Sequence, residues 1–300
     1  MFRVNMPQKI YQSKAVREVK RRIIDAIAEP GGILAVIGEI GIGKTIATID
    51  ALGAFEEFGH RIIYCRQPDK ERLRISVIIN GMIRYFGETP RKDIDARTEQ
   101  LRRLLGQAQQ DSKKVILVID EAHALHYQTL RALKRLLELN FGRRIGLLTV
   151  VLVAQPEIYE KLNQIEEVAL RTDILEMRPL TREESKEFLK FVADWNRVDL
   201  DAGVCDFLAA RAEVPLRLVV AVDRVNELGR RIGAKVTVNR LKQYVILPLR
   251  RKMEDSGLSL RKVAQKTGFS PSTISQVLGG KYEGDTKKVI EEVEKVLSEV

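Results

Sequence analysis

The amino-acid sequence predicts an α/β protein, a parallel sheet between layers of helix, followed by a smaller all-helical part. Three observations predict it. Short aliphatic runs at 33–37, 115–119, within "GLLTVVLVAQPE" and at 174–177 read as strands buried on both faces. The first run leads straight into a glycine-rich loop that opens a helix. From residue 182 onward the pattern is helical alone, which is the signature of an added helical region.

A chain of 300 residues suits about two domains. Its 45% hydrophobic and 31% charged content is that of a globular protein, not a disordered one. No apolar run approaches the ~20 residues that span a bilayer, so no membrane partner is expected. The first residues, "MFRVNMPQKIYQ", lack the apolar core of a signal peptide, which points to the cytoplasm. Cys65 and Cys205 fit no metal-binding spacing, and with three histidines a structural zinc site is not expected.

The net charge of +10 is unevenly spread. Residues 1–30 carry 7 basic against 3 acidic side chains, and residues 61–114 carry 13 against 7. The tail, 257–300, is nearly neutral with 7 against 6. A basic surface attracts polyanions whatever their sequence. Any one cluster is compatible with a solvated helix face, but the summed surplus predicts that the body of the protein meets phosphates.

The first strand ends in Gly38-Glu39-Ile40-Gly41-Ile42-Gly43-Lys44-Thr45, which fits G-x-x-x-x-G-K-[ST] without departure. Glycines let backbone N–H groups close around phosphates, and the following helix turns its N-terminus to the anion. Lys44 would then reach the β- and γ-phosphates of ATP, and Thr45 would ligate Mg2+. The second strand ends in Asp120 and Glu121. Asp120 would hold the same metal through its water shell, and Glu121 would orient or deprotonate the attacking water. Gln155, at the tip of the third strand, would sense the γ-phosphate.

Two arginines complete the candidate set. Arg171 precedes the short strand 174–177, where it could stabilise transition-state charge in a neighbouring subunit or pair with Glu166 or Glu167. Spacing alone does not choose. Residues 182–240 read as a helical lid, and Arg217, in the first turn after Pro215, is placed to point back at the γ-phosphate or to flank the lid core.

These motifs, in this order and followed by a helical lid, resemble an AAA+ ATPase over about residues 10–245. The expected divisions are a P-loop NTPase core at 1–180, a lid at 181–245, a linker at 246–256 and a tail at 257–300. The resemblance of "LRTDILEMRPLT" to the clamp-loader and initiator branch implies that Arg171 is a finger acting in trans. "VPLRLVVAVDRV" is similar to the lid pattern G-N-P-R-x-L, which implies a sensor role for Arg217; Glu213 and Val214 stand where that pattern has Gly-Asn. "VLVAQPE" resembles the group containing the phage Mu B transposition protein and the ExeA-type secretion ATPases.

The tail reads as a helix-turn-helix. Ala264 is small where two helices would cross, Gly268 suits a left-handed turn, and Ile274 and Val277 would plug the core. Ser270 and Pro271 provide an N-cap and a first-turn proline. Ser270, Ser272, Thr273, Ser275 and Gln276 would meet DNA phosphates or base edges, joined by Lys281 and Tyr282 of the following basic loop. A helical hairpin serving protein contacts has the same packing. The similarity of "KYEGD" and its preceding helix to the Mu B-type module implies DNA binding.

Together these readings predict an ATP-driven homo-oligomer, ring or filament, on double-stranded DNA. The Mu B-type resemblance implies selection of target DNA and activation of a transposase. A replication initiator or loader, or a transcription regulator that binds ATP as a ligand, are the alternatives. A secretion ATPase is disfavoured by the missing membrane-spanning run.

Overall fold

Successive residues of the central strands face opposite cores, as the period of two in an extended chain requires. The computed structural model describes residues 10–65, 69–71, 73–233, 235–238, 241, 253, 258–278 and 286–298. In β1 (Ile33–Ile37), Ile33, Ala35 and Ile37 enter one core while Leu34 and Val36 enter the other. The same alternation runs through β3 (Val115–Ile119) and β4 (Thr149–Ala154). Helices on both faces bury every residue of these three strands, which is why they read as continuous aliphatic runs.

The sheet is parallel throughout, in the order β2-β3-β4-β1-β5. Two of its members depart from the expected pattern. β2 (Arg61–Tyr64) is a four-residue edge strand that the aliphatic runs do not announce. β5 spans Thr172–Glu176 rather than 174–177, because its register with β1 begins at Ile33 opposite Thr172. On this open edge Ile174 is exposed, whereas Leu175 and Met177 join a core.

One face is covered by α1 (Lys14–Ala28) and α2 (Lys44–Glu57). Ser13 caps α1 by accepting the Val16 N–H, and Val16, Val19, Ile23 and Ile27 recur at helical spacing to form its buried stripe. The other face packs against α3 (Ile75–Tyr85), α4 (Ile94–Gln110), α5 (Tyr127–Leu137) and the short α6 (Ile158–Asn163) and α7 (Glu166–Ala169).

This sheet belongs to the first of two units, Met1–Leu180, and the second is Thr181–Val300. In the second unit, Thr181 and Glu184 form a reciprocal capping box at the start of α8 (Arg182–Asn196). Asp201 caps α9 (Ala202–Ala209), and α10 (Pro215–Ile232) starts on proline and stops at Gly233, φ 60°. The expected helix around 237–245 falls largely outside the described residues.

Among the described residues further helices follow, α11 (Leu260–Thr267), α12 (Pro271–Leu278) and α13 (Thr286–Ser298). Gly268 ends α11 in the left-handed conformation, φ 74°, its N–H bonded to the Ala264 carbonyl at 3.0 Å. Val263, Ala264, Ile274, Val277, Val289 and Val293 form the apolar centre of this segment.

Candidate nucleotide site

The loop 38–45 crosses from the C-terminal end of β1 to the first turn of α2. Gly38 is held to the neighbouring strand by an N–H bond to the Ala154 carbonyl, 3.2 Å. A Cβ at Gly38 would lie 2.9 Å from the Met177 carbonyl oxygen, a clash only glycine avoids. Gly41 and Gly43 take positive φ values, 78° and 101°, a conformation that favours glycine. Ile42 is buried and anchors the loop, while Ile40 is exposed.

The Lys44 side chain is 8% exposed, and its ammonium donates to the Gly38 carbonyl at 2.7 Å and the Glu39 carbonyl at 2.8 Å. Burial lowers its pKa below the ordinary lysine value, opposed by the negative charges of Glu121 and Asp120. A cation held inside a glycine cradle fits the phosphates of a nucleotide. Thr45 donates from Oγ1 to Oδ2 of Asp120 at 2.9 Å, so two hard oxygen ligands sit together where Mg2+ would bind.

Glu121 follows in the left-handed conformation, φ 55°, uncommon for a side chain of its kind. Its own N–H donates to Oδ1 of Asp120 at 2.9 Å, which fixes that carboxylate beside Thr45. The Gln155 amide lies 3.4 Å from Glu121 Oε2, so the tip of β4 meets the tip of β3. Sequence reasoning missed a third member, His123, on the 3-10 turn Ala122–Ala124. Its Nδ1 accepts the Gln155 backbone N–H at 3.4 Å, and its Nε2 is 3.5 Å from Glu121 Oε2. The signal was present in the "DEAH" spelling, but its meaning depends on β4 lying next to β3.

Arg171 sits elsewhere. Its carbonyl accepts the Ile33 N–H at 2.9 Å, at the N-terminal end of β1, while the phosphate loop begins beyond Ile37. The separation along the strand is on the order of 13 Å at ~3.3 Å per residue. The Arg171 guanidinium donates to Glu138 at 3.0 Å, rather than to Glu166 or Glu167 as spacing suggested. Glu167 is taken instead by Lys134 and Arg131 of α5, which packs beside α7. Arg217 lies in the first turn of α10, in the second unit.

A basic cavity of about 450 Å³ opens between α3 and α4. Arg84, Arg91, Lys92 and Arg97 line it, with Glu88 as the acidic member. Arg97 donates to the Arg91 and Lys92 carbonyls at 2.9 and 2.8 Å, which folds the loop. Glu88 is held below its ordinary pKa by hydrogen bonds from Arg103 and Gln100. Among the described residues, Arg84, Arg91 and Lys92 form no ion pair.

In the last helical segment, Ser270 Oγ caps α12 by accepting the Thr273 N–H at 3.0 Å. Ser272, Ser275 and Gln276 are exposed. Thr273 is partly buried, and its hydroxyl shares an exposed hydrogen bond of 2.8 Å with Ser270. Lys281 and Tyr282 lie outside the described residues.

A five-stranded parallel sheet with β1 beside β4, a glycine cradle at its tip and paired carboxylates just after β3 is the AAA+ P-loop NTPase fold. Residues 27–162 match the family described as AAA domain. No curated protein matches the sequence. Among solved structures the chain is similar to the ORC2 protein of Aeropyrum pernix in its ADPNP–ADP complexes: TM-score 0.59, 15% identity, 98% of this chain and 82% of that one. It is also similar to the ORC1 protein of Aeropyrum pernix in complex with DNA: TM-score 0.57, 16% identity, 99% and 80% covered. A third is Cdc6p of Pyrobaculum aerophilum: TM-score 0.52, 14% identity, 98% and 97% covered. At these identities the likeness is one of fold. Among the described residues no helix is long and apolar enough to cross a membrane.

Proposed function

We propose that this protein is an ATPase whose nucleotide state governs its self-association on double-stranded DNA, and that it serves DNA transposition by selecting target DNA and activating a transposase. The observation that carries the ATPase reading is the convergence of Lys44, Thr45, Asp120, Glu121 and Gln155 at one end of the sheet while Arg171 lies at the other. Mg2+, when bound, would supply positive charge against the charge that develops on the transferred phosphoryl group. Thr45 and Asp120 would hold it, and Lys44 would grip the β- and γ-phosphates. Glu121 would accept the proton of the water that attacks the γ-phosphorus, with ADP as the leaving group. An arginine too far from its own phosphate loop suits a site completed by a second copy, which supports a ring or filament.

The DNA reading draws on the basic cavity between α3 and α4, where Arg84, Arg91 and Lys92 form no ion pair among the described residues, and on the helical tail. The DNA complex of the similar ORC1 protein supports it too. The transposition reading draws on the Mu B-type sequence resemblance. The fold likeness to ORC2, ORC1 and Cdc6p supports a second reading, a replication initiator or loader with the same ATPase chemistry. Electron microscopy of the full chain with DNA and a non-hydrolysable ATP analogue tests the assembly. Nucleotide-dependent rings or filaments on DNA of arbitrary sequence fit the transposition reading. Assembly restricted to one DNA sequence fits the initiator, and a monomer indifferent to DNA removes both.

A further inference from the structure

We infer that His123 is a positioning residue of hydrolysis, a link between the amide of Gln155 and the carboxylate of Glu121. The inference rests on the ATPase reading above. The Glu121 carboxylate is 57% exposed and hangs from a turn, so it needs lateral support to keep one orientation. Among the described residues the polar side-chain nitrogens beside it are those of Gln155, which donates at 3.4 Å, and His123, whose Nε2 stands 3.5 Å away.

The imidazole is well placed to act as that support, because it is fixed from two directions. From β4, the Gln155 backbone N–H donates to Nδ1, which leaves the ring proton of a neutral imidazole on Nε2, facing Glu121. From α6, the Lys161 ammonium clamps the carbonyls of His123 and Leu125. The ring is 18% exposed, and its Nε2 lies 3.1 Å from the Gln155 amide nitrogen; both are donors, and both converge on the same oxygen, Oε2 of Glu121. Gln155 cannot serve a γ-phosphate and Glu121 equally. When its amide turns to the phosphate, the Nε2–H of His123 is the group that keeps the carboxylate directed at the attacking water. Phosphate sensing and alignment of the base are thereby joined through one ring.

The two ring nitrogens do different work, so two substitutions separate them. In H123N the amide oxygen can replace Nδ1 as acceptor for the Gln155 N–H, but the side chain stops short of Glu121. In H123Q the longer amide can reach the Nε2 position. Steady-state ATP hydrolysis by the full chain with Mg2+ and DNA, together with binding of a fluorescent ADP, reads the difference. H123N is expected to lower kcat about tenfold while leaving KM and ADP affinity within about twofold, and H123Q is expected to recover to within about threefold of the parent. Parent-like kcat in H123N, or equal losses in the two variants, overturns the inference and leaves the ATPase reading standing. A parent protein that binds ADP yet turns over no ATP overturns both.

Discussion

Arg171 donates to Glu138 at 3.0 Å, at the end of the sheet away from the phosphate loop. Both side chains are about two-fifths exposed, so the pair contributes little stability and is easily exchanged for another anion. A neighbour's γ-phosphate is such an anion. Arg171→Ala is therefore expected to cut hydrolysis by about 10³-fold while nucleotide still binds. Mixing this variant with Glu121→Gln should restore turnover, because some interfaces then join an intact Glu121 to an intact Arg171. A mixture as inactive as its components would remove the trans assignment.

Lys44→Ala should weaken ATP binding about 10- to 100-fold, the range for removing charge-assisted hydrogen bonds to a phosphate. The pH dependence follows from the lowered pKa. Below the folded-state value the buried ammonium costs the native state its full penalty, and that cost fades as pH rises toward the unfolded-chain value. Stability from this group therefore increases with alkaline pH while phosphate affinity falls. Titrations with nucleotide and denaturant across the range below 10.5 should show the two opposite slopes.

Glu121→Gln removes the proposed base and keeps the shape. Hydrolysis should drop by about 10²- to 10⁴-fold, and complexes with ATP and DNA should outlive those of the parent. Off-rates from labelled DNA measure this directly. Equal off-rates would separate hydrolysis from DNA release.

Arg84, Arg91 and Lys92 are candidates for the DNA backbone interface that the charge distribution predicted without locating. Neutralising any one of them should flatten the dependence of log affinity on log salt by about 0.9, the value of a single phosphate interaction. A triple alanine variant is expected to show a much shallower slope, with nucleotide binding intact. If the slope is unchanged, the cavity is not the interface.

Much of the candidate site was legible because its parts are local. Gly38 to Thr45 and Asp120–Glu121 each follow a strand recognisable from four or five aliphatic residues, and a short turn at a strand end is specified by its own sequence. The bond between the Ser270 and Thr273 hydroxyls, by contrast, is a choice made by two short side chains in one turn. The β2 strand was not legible, because an edge strand opening on Arg61 and ending half-buried at Tyr64 carries no continuous apolar run.

What the sequence determined alone was which residues could do chemistry: a cradle, a cation, two carboxylates, an amide. Only the tertiary structure decided which of them meet. The order β2-β3-β4-β1-β5 is set by crossovers, not by position along the chain. That order puts Thr45 against Asp120, brings His123 and Gln155 to Glu121, and leaves Arg171 at the far end of the strand next to β1. Backbone geometry within a turn depends on a few adjacent residues, whereas strand neighbours depend on how two helical layers bury a whole sheet.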